Sequence, residues 1–405
     1  MARIDSRGLT LAACAFCPAV VLGVFLVFPL WAPAWMSDFG KSRGEVMLVY
    51  SASGLLMTLM MPVAGWLTTR AATWRVVAMG AVILGGGLIV ASLLTNYLAF
   101  AIVYALSIAV GVALGGVIPC QTVAARLFPR HVGAIGGLIM ISLAVAGMIF
   151  PLVLAPLKAA IGWRAALAGT GGVVAILLPL VAFGLIRGRE GAADGAPAHG
   201  AAPAEASTGR ILKAGGFWII VAGVFPLMAV STAVQANLLP ILADHGVGQD
   251  QAGFVMAAMA VGSAAGAAAF GWLADRLDPR LVITGSATLM AVAALALAGG
   301  GGAVVALAAT IVLGLASGGT LPIQSIFAFR QFGAGYAPAT GLLNLFMLPY
   351  MLSPPLLGFV RDQTGTYALC LLIAGPLLLA GAAATWRLKS ARALAIAAAH
   401  LAPAE

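Results

Sequence analysis

Charge is scarce in this chain, and its scarcity already excludes several kinds of protein. Of 405 residues only 8% are Asp, Glu, Lys or Arg, whereas 62% are hydrophobic. A soluble domain of this length needs far more polar surface, so the composition indicates a protein that lies in a lipid bilayer. We therefore expect an all-α membrane protein.

Cysteine and histidine are also rare, with four of each. All the cysteines, Cys14, Cys17, Cys120 and Cys370, fall in apolar segments, where they pack as small hydrophobic residues and predict no disulfide framework. No histidine is near the Cys14-x-x-Cys17 pair to complete a metal site. We therefore expect no metal and no cofactor. We also expect no catalytic residue and no enzyme, since no nucleophile or acid pair is predicted at membrane depth.

Long apolar stretches, in contrast, fill the chain. Twelve reach the length of about 20 residues that crosses the hydrocarbon core. They cover residues 9–31, 45–66, 76–95, 97–120, 133–157 and 165–186, then 216–241, 251–273, 281–299, 303–327, 338–360 and 367–386. The predicted fold is twelve transmembrane helices in two six-helix bundles. The predicted domains are an N-terminal bundle (1–187), a cytoplasmic linker (188–213), a C-terminal bundle (214–387) and a cytoplasmic tail (388–405).

The distribution of basic residues predicts the topology. If the N-terminus is cytoplasmic, 16 of the 21 Lys and Arg residues fall on the inside and five on the outside, namely Lys41, Arg43, Lys158, Arg164 and Arg361. This asymmetry follows the positive-inside rule for a chain with both ends in the cytoplasm. The net charge of +9 is therefore a topology signal, and no nucleic-acid partner is expected. We expect a monomer in the inner membrane of a bacterium.

Two sequence patterns recur in the second half of the chain. Gly65-Trp66-Leu67 returns as Gly271-Trp272-Leu273, 206 residues later. Gly115-Gly116-Val117-Ile118-Pro119 returns as Gly318-Gly319-Thr320-Leu321-Pro322, 203 residues later. Two homologous membrane halves around one central site are typical of secondary transporters. A receptor or scaffold has no need of such a duplication, so a transporter of a small-molecule substrate is predicted.

The segment Gly271-x-x-x-Asp275-Arg276-x-x-x-Arg280 resembles the loop signature of the major facilitator superfamily. The first half matches at Gly65 and Arg70, with Thr69 in the position of the aspartate. The resemblance implies alternating access, with a latch at the cytoplasmic end that holds in one conformation and opens in the other. It also implies gating roles for Gly65, Arg70, Gly271, Asp275, Arg276 and Arg280. Gating roles are predicted as well for two pairs at near-equivalent places, toward the cytoplasmic ends of the fourth and tenth spans: Gln121 with Arg126, and Gln324 with Arg330. Positive-inside anchoring is the alternative for these arginines.

Several shorter patches in the first half are similar to the monocarboxylate-porter and oxalate:formate-antiporter branch of this superfamily. They are Phe25–Leu30, Phe39–Gly44, Arg126–Arg130, Gly147 with Pro151, and Gly162-Trp163-Arg164. The resemblance implies a small organic anion as the substrate, bound in that branch by cations in the second half. The predicted eighth and eleventh spans hold no Lys or Arg, however. Efflux of a neutral or hydrophobic compound is therefore the alternative.

In the superfamily pattern the first, fourth, seventh and tenth spans line a central cavity, flanked by the second, fifth, eighth and eleventh. Polar and aromatic residues in these spans are the predicted substrate contacts: Phe28, Tyr50, Tyr104, Ser107, Ser142, Gln235, Asn237, Ser317, Asn344 and Tyr350. Gln235 and Asn237 are favoured, because an amide in hydrocarbon needs a hydrogen-bond partner. A bond between helices is the competing role for each.

The acidic residues bear on energy coupling. All 12 fall in predicted loops, tails or span ends, and none lies at the middle of the membrane, where an ionised group often marks a proton pathway. Three alternatives stay open. Asp38 or Glu45 at the outer mouth couples transport to protons, or a proton travels with the substrate, or transport is uncoupled.

Overall fold

The computed structural model describes residues 6–127, 132–187, 208–248, 251–299, 301–332 and 336–388. In this part of the chain, eleven helical stretches are long and apolar enough to cross a membrane. One of them, Ile141–Ile186, has 46 residues. A straight helix of that length would extend about 69 Å, roughly twice the hydrocarbon core. It breaks at Gly162, whose φ is 79°, and so provides two crossings and a total of twelve.

The described residues of the N-terminal half form seven α-helices followed by a short π-helix, Ala182–Ile186. The α-helices are α1 (Ser6–Leu26), α2 (Phe28–Phe39), α3 (Arg43–Arg70), α4 (Thr73–Leu93), α5 (Tyr97–Gly115), α6 (Val117–Leu127) and α7 (Val132–Val181). We call the end where α2 is followed by α3 the outer end, and the opposite end, where α3 is followed by α4, the inner end.

In the C-terminal half, the residues that the structure describes form ten α-helices and include a 3₁₀ segment, Leu348–Leu352. The α-helices are α8 (Thr208–Lys213), α9 (Gly215–Ala236), α10 (Leu238–Asp244), α11 (Ala252–Arg276), α12 (Pro279–Ala298), α13 (Gly302–Gly318), α14 (Thr320–Phe332), α15 (Tyr336–Met347), α16 (Ser353–Thr364) and α17 (Ala368–Thr385). The last residues of the predicted linker are thus helical. Linker residues 188–207 and tail residues 389–405 lie outside the described part of the chain.

Besides the eleventh crossing, which contains the 3₁₀ segment Leu348–Leu352, four described crossings are interrupted part-way, at equivalent places in the two halves. The first breaks at Val27, followed by Pro29, and the seventh breaks at Asn237. The fourth and tenth break at Gly116 and Gly319, the glycine pair of the sequence repeat. A Cβ atom on Gly116 would overlap the carbonyl oxygen of Val112, so only glycine fits this break. These four paired breaks fall in the crossings that the superfamily pattern assigns to the central cavity.

Small residues let neighbouring helices approach closely within each half. A Cβ on Gly262 would lie 3.0 Å from the carbonyl oxygen of Ile311, and one on Gly85 would overlap the carbonyl of Gly171. Helix packing inside a membrane relies on such backbone approach, because lipid tails leave no hydrophobic force between helices. Each half is thereby a tightly packed body.

Candidate gate and transport pathway

Arg43 lies at the outer end, where the two halves meet. Its backbone N–H donates to the Asp362 carboxylate at 3.2 Å, and the N–H of Gly44 donates to the same carboxylate at 2.9 Å. Its guanidinium lies 3.5 Å from Asp244 and 5.5 Å from the ring centroid of Tyr367. One residue of the N-terminal half therefore contacts three segments of the C-terminal half.

The first turn of α3 explains why Asp362 is needed there. An α-helix begins with four N–H groups that have no partner in the helix. Ser42 and Glu45 satisfy two of them with a capping box, in which each side chain accepts from the other residue's N–H. The other two belong to Arg43 and Gly44, and both donate to Asp362. The helix start is thus completed by a carboxylate from the opposite half, which also suits the positive end of the helix dipole.

Asp244 is held mainly by Arg361, which donates two hydrogen bonds to it at 2.8 and 3.1 Å. Burial, the largest single influence, raises the pKa of Asp244. The hydrogen bonds from Arg361 and Arg43 and the charges of both arginines outweigh it, so the pKa lies below its ordinary value of 3.8. Burial raises the pKa of Tyr367 to about 12, so its ring is neutral beneath Arg43. At neutral pH Asp244 is therefore ionised, whereas Tyr367 is a neutral phenol.

Beneath these polar contacts, α3 and α16 touch backbone to backbone. A Cβ on Gly44 would overlap the ring of Phe359, and a Cβ on Gly358 would lie 2.8 Å from the backbone nitrogen of Gly44. Further in, a Cβ on Gly54 would lie 2.7 Å from the sulfur of Met351. Side chains at these glycines would hold the two helices apart.

Helices α7 and α11 form the second seam between the halves. A Cβ on Gly253 would lie 2.8 Å from the carbonyl oxygen of Pro151, and one on Gly147 would lie 3.4 Å from the Cβ of Ala260. In the part of the chain that the structure describes, the hydrogen bonds and the ion pair between the halves involve Arg43 or Gly44. The described polar contacts therefore join the halves at the outer end.

Three predicted substrate contacts lie together in an aromatic cluster. The ring of Phe28 lies 5.0 Å from Tyr50 and 6.2 Å from Tyr104. Trp35 packs edge-on against Phe28 and Tyr104, at 5.2 and 5.0 Å. The Tyr104 hydroxyl and the Trp35 Nε1 are buried, and neither has a hydrogen-bond partner among the described residues. Tyr350 lies in the 3₁₀ segment Leu348–Leu352 of the other half, which packs against α3.

A polar group in the C-terminal half joins one predicted gating residue to one predicted substrate contact. Gln324 donates a hydrogen bond to the side-chain oxygen of Asn344 at 2.8 Å. Its own side-chain oxygen and the hydroxyl of Thr320, one turn earlier, are buried and lack a partner in the described part of the chain. Asn344, on α15, is exposed.

The two favoured amides are bound within their own half. Asn237 is fully buried, and its amide donates to the carbonyls of Ala233 and Pro354 at 3.0 and 3.1 Å. It thereby ties the break between α9 and α10 to α16. Gln235 is half-buried and donates to the Ser231 hydroxyl at 2.8 Å.

Three predicted serines use their hydroxyl groups within the bundles. Ser107 donates to a carbonyl of its own helix, as helical serines commonly do. Ser142 donates to the carbonyl of Ala15 at 2.8 Å, which joins α7 to α1. Ser317 donates to the Gly314 carbonyl at 2.8 Å. The Ser142 hydroxyl therefore joins two helices, whereas those of Ser107 and Ser317 bind carbonyls of their own helices.

At the inner end, the two copies of the loop signature have the same local structure. The guanidinium of Arg70 lies 4.5 Å from the ring centroid of Trp66, and that of Arg276 lies 4.1 Å from Trp272. The space around two of the gating glycines is open, so a side chain would meet nothing there: Gly65 and Gly271. The structure thus agrees with the 206-residue repeat.

Two further gating arginines bind carbonyl groups within the C-terminal half. Arg330 donates to the Ala274 carbonyl at 3.1 Å, which links the end of α14 to the end of α11. Arg280 donates to the Leu388 carbonyl and lies 3.8 Å from Asp278. Gln121 is half-buried on α6. Two side chains of the gating set lie outside the described part of the chain, Arg126 and Asp275.

The outer cluster was not predicted from the sequence. Arg43 and Arg361 were assigned to outer loops, but α3 begins at Arg43, and α16 continues through Arg361 to Thr364. The eleventh crossing therefore carries a cation just past its predicted end at residue 360. One signal was available, because Ser42-x-x-Glu45 is a capping-box pattern that marks a helix start.

Comparison with known proteins agrees with this architecture. The family model of the Major Facilitator Superfamily matches residues 12–347 and 225–399. Monocarboxylate transporter 11 of Homo sapiens is 28% identical over 92% of this chain and 81% of its own length. Monocarboxylate transporter 11 of Mus musculus is 30% identical over 92% of this chain and 86% of its own length.

Among solved structures, a bacterial homolog of the human lysosomal transporter Spinster, inward-facing and unoccupied, is similar with a TM-score of 0.70. It is 16% identical, and the match covers 98% of this chain and 96% of that one. The chain belongs to the major facilitator superfamily of secondary transporters, as a multi-pass membrane protein with distant homology to monocarboxylate transporter 11.

Proposed function

We propose that this transporter carries a small monocarboxylate-like anion across the cytoplasmic membrane of a bacterium by alternating access. The observation that carries the proposal is the 28–30% identity to monocarboxylate transporter 11 over 92% of the chain. The outer end, with Arg43 and Lys158 beside apolar walls, is suited to an anion with a short carbon chain.

The proposed pathway runs between the halves. In the described conformation the outer end is closed by Arg43, Gly44 and Asp362. The aromatic cluster around Phe28 and the free oxygen of Gln324 are the proposed contacts further in. The loop signature at the inner end is the proposed latch. In this latch the Asp275 carboxylate changes its partners at the helix ends between the two conformations. Asp275→Asn is therefore expected to slow turnover more than it weakens substrate binding.

The proposed coupling is a proton that moves with the acid. The chain has no Asp or Glu in the middle of a predicted crossing to carry a proton alone. If the substrate carboxylate is bound by a cation and a proton crosses in the same cycle, no proton-carrying side chain is needed at the middle of the membrane. The transporter acts in this proposal as a monomer with both ends in the cytoplasm, following the 16-to-5 distribution of basic residues.

The test is uptake into proteoliposomes that contain the purified protein. Radiolabelled L-lactate, succinate and a neutral lipophilic compound are compared with and without an inward proton gradient, and protein-free liposomes are the control. We expect lactate uptake that the gradient accelerates and that excess unlabelled lactate inhibits. Lactate uptake equal to that of protein-free liposomes would remove the monocarboxylate proposal.

The second candidate function is efflux of a neutral or hydrophobic compound. It is favoured by the aromatic cluster, in which Phe28, Trp35 and Tyr104 are buried without a charged neighbour among their ring contacts. The same proteoliposomes test it. Protein-dependent movement of the lipophilic compound alone would support this alternative.

A further inference from the structure

A cavity of about 180 Å³ lies at the outer end between the two halves. One wall belongs to the N-terminal half and includes Leu30, Arg43 and Lys158, and the other belongs to the C-terminal half and includes Pro240 and Val255. The ionisable residues among its described lining are Arg43 and Lys158, both cations, and the others are apolar or glycine. The cavity is therefore electropositive and otherwise apolar.

Lys158 has unused capacity for an anion. Its ammonium group donates one hydrogen bond, to the Leu30 carbonyl at 2.7 Å, and has three N–H donors in all. No ion pair joins it to a carboxylate in the described ranges of the chain. A cation beside apolar side chains, away from bulk water, attracts an anion more strongly than the same cation in solution.

The neighbouring charges do not cancel this cation. Asp244 is bound closely by Arg361, at 2.8 Å, and only at 3.5 Å by Arg43. The carboxylate of Asp362 accepts from backbone N–H groups of α3. Among the described residues of the cavity and the adjoining cluster, three cations, Arg43, Lys158 and Arg361, and two carboxylates, Asp244 and Asp362, leave a formal charge of +1. One monovalent anion would neutralise it.

We propose that this cavity is an outer site for one small carboxylate, bound by Lys158 and Arg43 while the outer gate is closed. Its volume is well below the roughly 300–1,000 Å³ of pockets for drug-sized ligands, and its apolar walls suit a chain of a few carbon atoms. The site rests on the proposed function and gives the residues that hold the anion at the outer end. Because its walls belong to different halves, opening the gate separates them and releases the anion to the outside.

The first test follows acylation of individual lysines by a water-soluble reagent, read by mass spectrometry on the wild-type protein in lipid nanodiscs. L-lactate is the probe, and chloride at equal ionic strength is the reference. Lactate at about ten times its Kd should slow acylation of Lys158 about tenfold, because roughly 90% of the sites are then occupied. Lys41, which is paired with Glu45 on the same side, should react at an unchanged rate.

Two results would overturn the site. One is the same rate at Lys158 in lactate and in chloride, and the other is an equal slowing at Lys158 and Lys41, which would reflect a bulk effect. Failure of the proposed function gives a different pattern. Protection of Lys158 without lactate uptake would support the site and contradict the proposed function. Lactate uptake without protection of Lys158 would support the function and contradict the site.

The second test compares uptake kinetics of three variants. Lys158→Gln removes a charge-assisted hydrogen bond, so the KM for lactate should rise about 10- to 100-fold. Lys158→Arg keeps the cation and should stay close to wild type, and Lys41→Gln is the matched control for loss of an outer lysine. A KM for Lys158→Gln equal to that of Lys41→Gln would overturn the role of Lys158.

Discussion

The carboxylate of Asp362, near the end of α16, accepts a hydrogen bond from the backbone N–H of Gly44, in the first turn of α3, at 2.9 Å. These residues belong to different halves of the transporter and are 318 positions apart in the chain. The start of one helix is therefore completed only while the outer gate is closed. This contact links a local requirement of helix geometry to the global conformation.

Removing this cap should open the outer gate. Asparagine has one acceptor oxygen where aspartate has two, so Asp362→Asn loses one of the two hydrogen bonds to α3. This loss costs about 1 kcal/mol, which corresponds to a roughly fivefold shift toward the outward-open state. Asp362→Asn should show this shift in distances between spin labels on Thr95 and Val304, exposed residues at the outer ends of the two halves. The labels require a background without the four native cysteines.

Asp38→Asn is the matched control for that experiment. Asp38 is also an outer carboxylate, but it pairs with Arg164 within the N-terminal half, at 2.7 Å. Its replacement should leave the label distances unchanged. Equal distance distributions for Asp362→Asn and Asp38→Asn would show that the cap does not hold the gate.

A single methyl group at Gly44 should also prevent closure. Its Cβ would overlap the Phe359 ring, and overpacking of this kind costs about 1–3 kcal/mol. Gly44→Ala should therefore lengthen the same label distance, and a second change, Phe359→Ala, should restore it. Gly86→Ala is the control, because nothing lies within 4 Å of a Cβ there. An unchanged distance in Gly44→Ala would contradict the close approach of α3 and α16.

Arg330 should matter for turnover rather than for substrate affinity. Its hydrogen bond to the Ala274 carbonyl, at 3.1 Å, joins α14 to α11 at the inner end. A hydrogen bond from a charged donor contributes about 1.5–3 kcal/mol, so Arg330→Ala should reduce kcat for lactate uptake about tenfold or more while KM changes little. Arg330→Lys keeps the charge and serves as the comparison. A wild-type kcat in Arg330→Ala would exclude a gating role.

The architecture followed from the sequence because hydropathy and internal repetition are properties of local segments. The 203-residue repeat predicted equivalent places in the two halves, and the structure breaks the fourth and tenth crossings at Gly116 and Gly319. Proline predicted bends less reliably. The first crossing breaks just before Pro29, yet α1 continues through Pro18.

The gate did not follow from the sequence, because its pairs form only when distant segments meet. Arg43 and Asp244 are 201 residues apart, and nothing near either residue indicates the other. Polar residues were also difficult to assign. The hydroxyls of Ser107 and Ser317 donate to carbonyls of their own helices. The sequence assigns each serine to a span, but it does not tell whether the hydroxyl is used in this way or faces a cavity.

The lowered pKa of Asp244 predicts how stability at the outer end depends on pH. A carboxylate with a lowered pKa stabilises the protein fully above its ordinary value, here 3.8, and loses that contribution as the pH falls through the lowered value. The difference in Tm between wild type and Asp244→Asn should therefore be constant from about pH 8 to about pH 5 and shrink at lower pH. Thermal unfolding of both proteins in detergent over this range measures it. A difference that already shrinks between about pH 7 and about pH 5 would mean that Asp244 takes up its proton too easily to be held by Arg361 and Arg43.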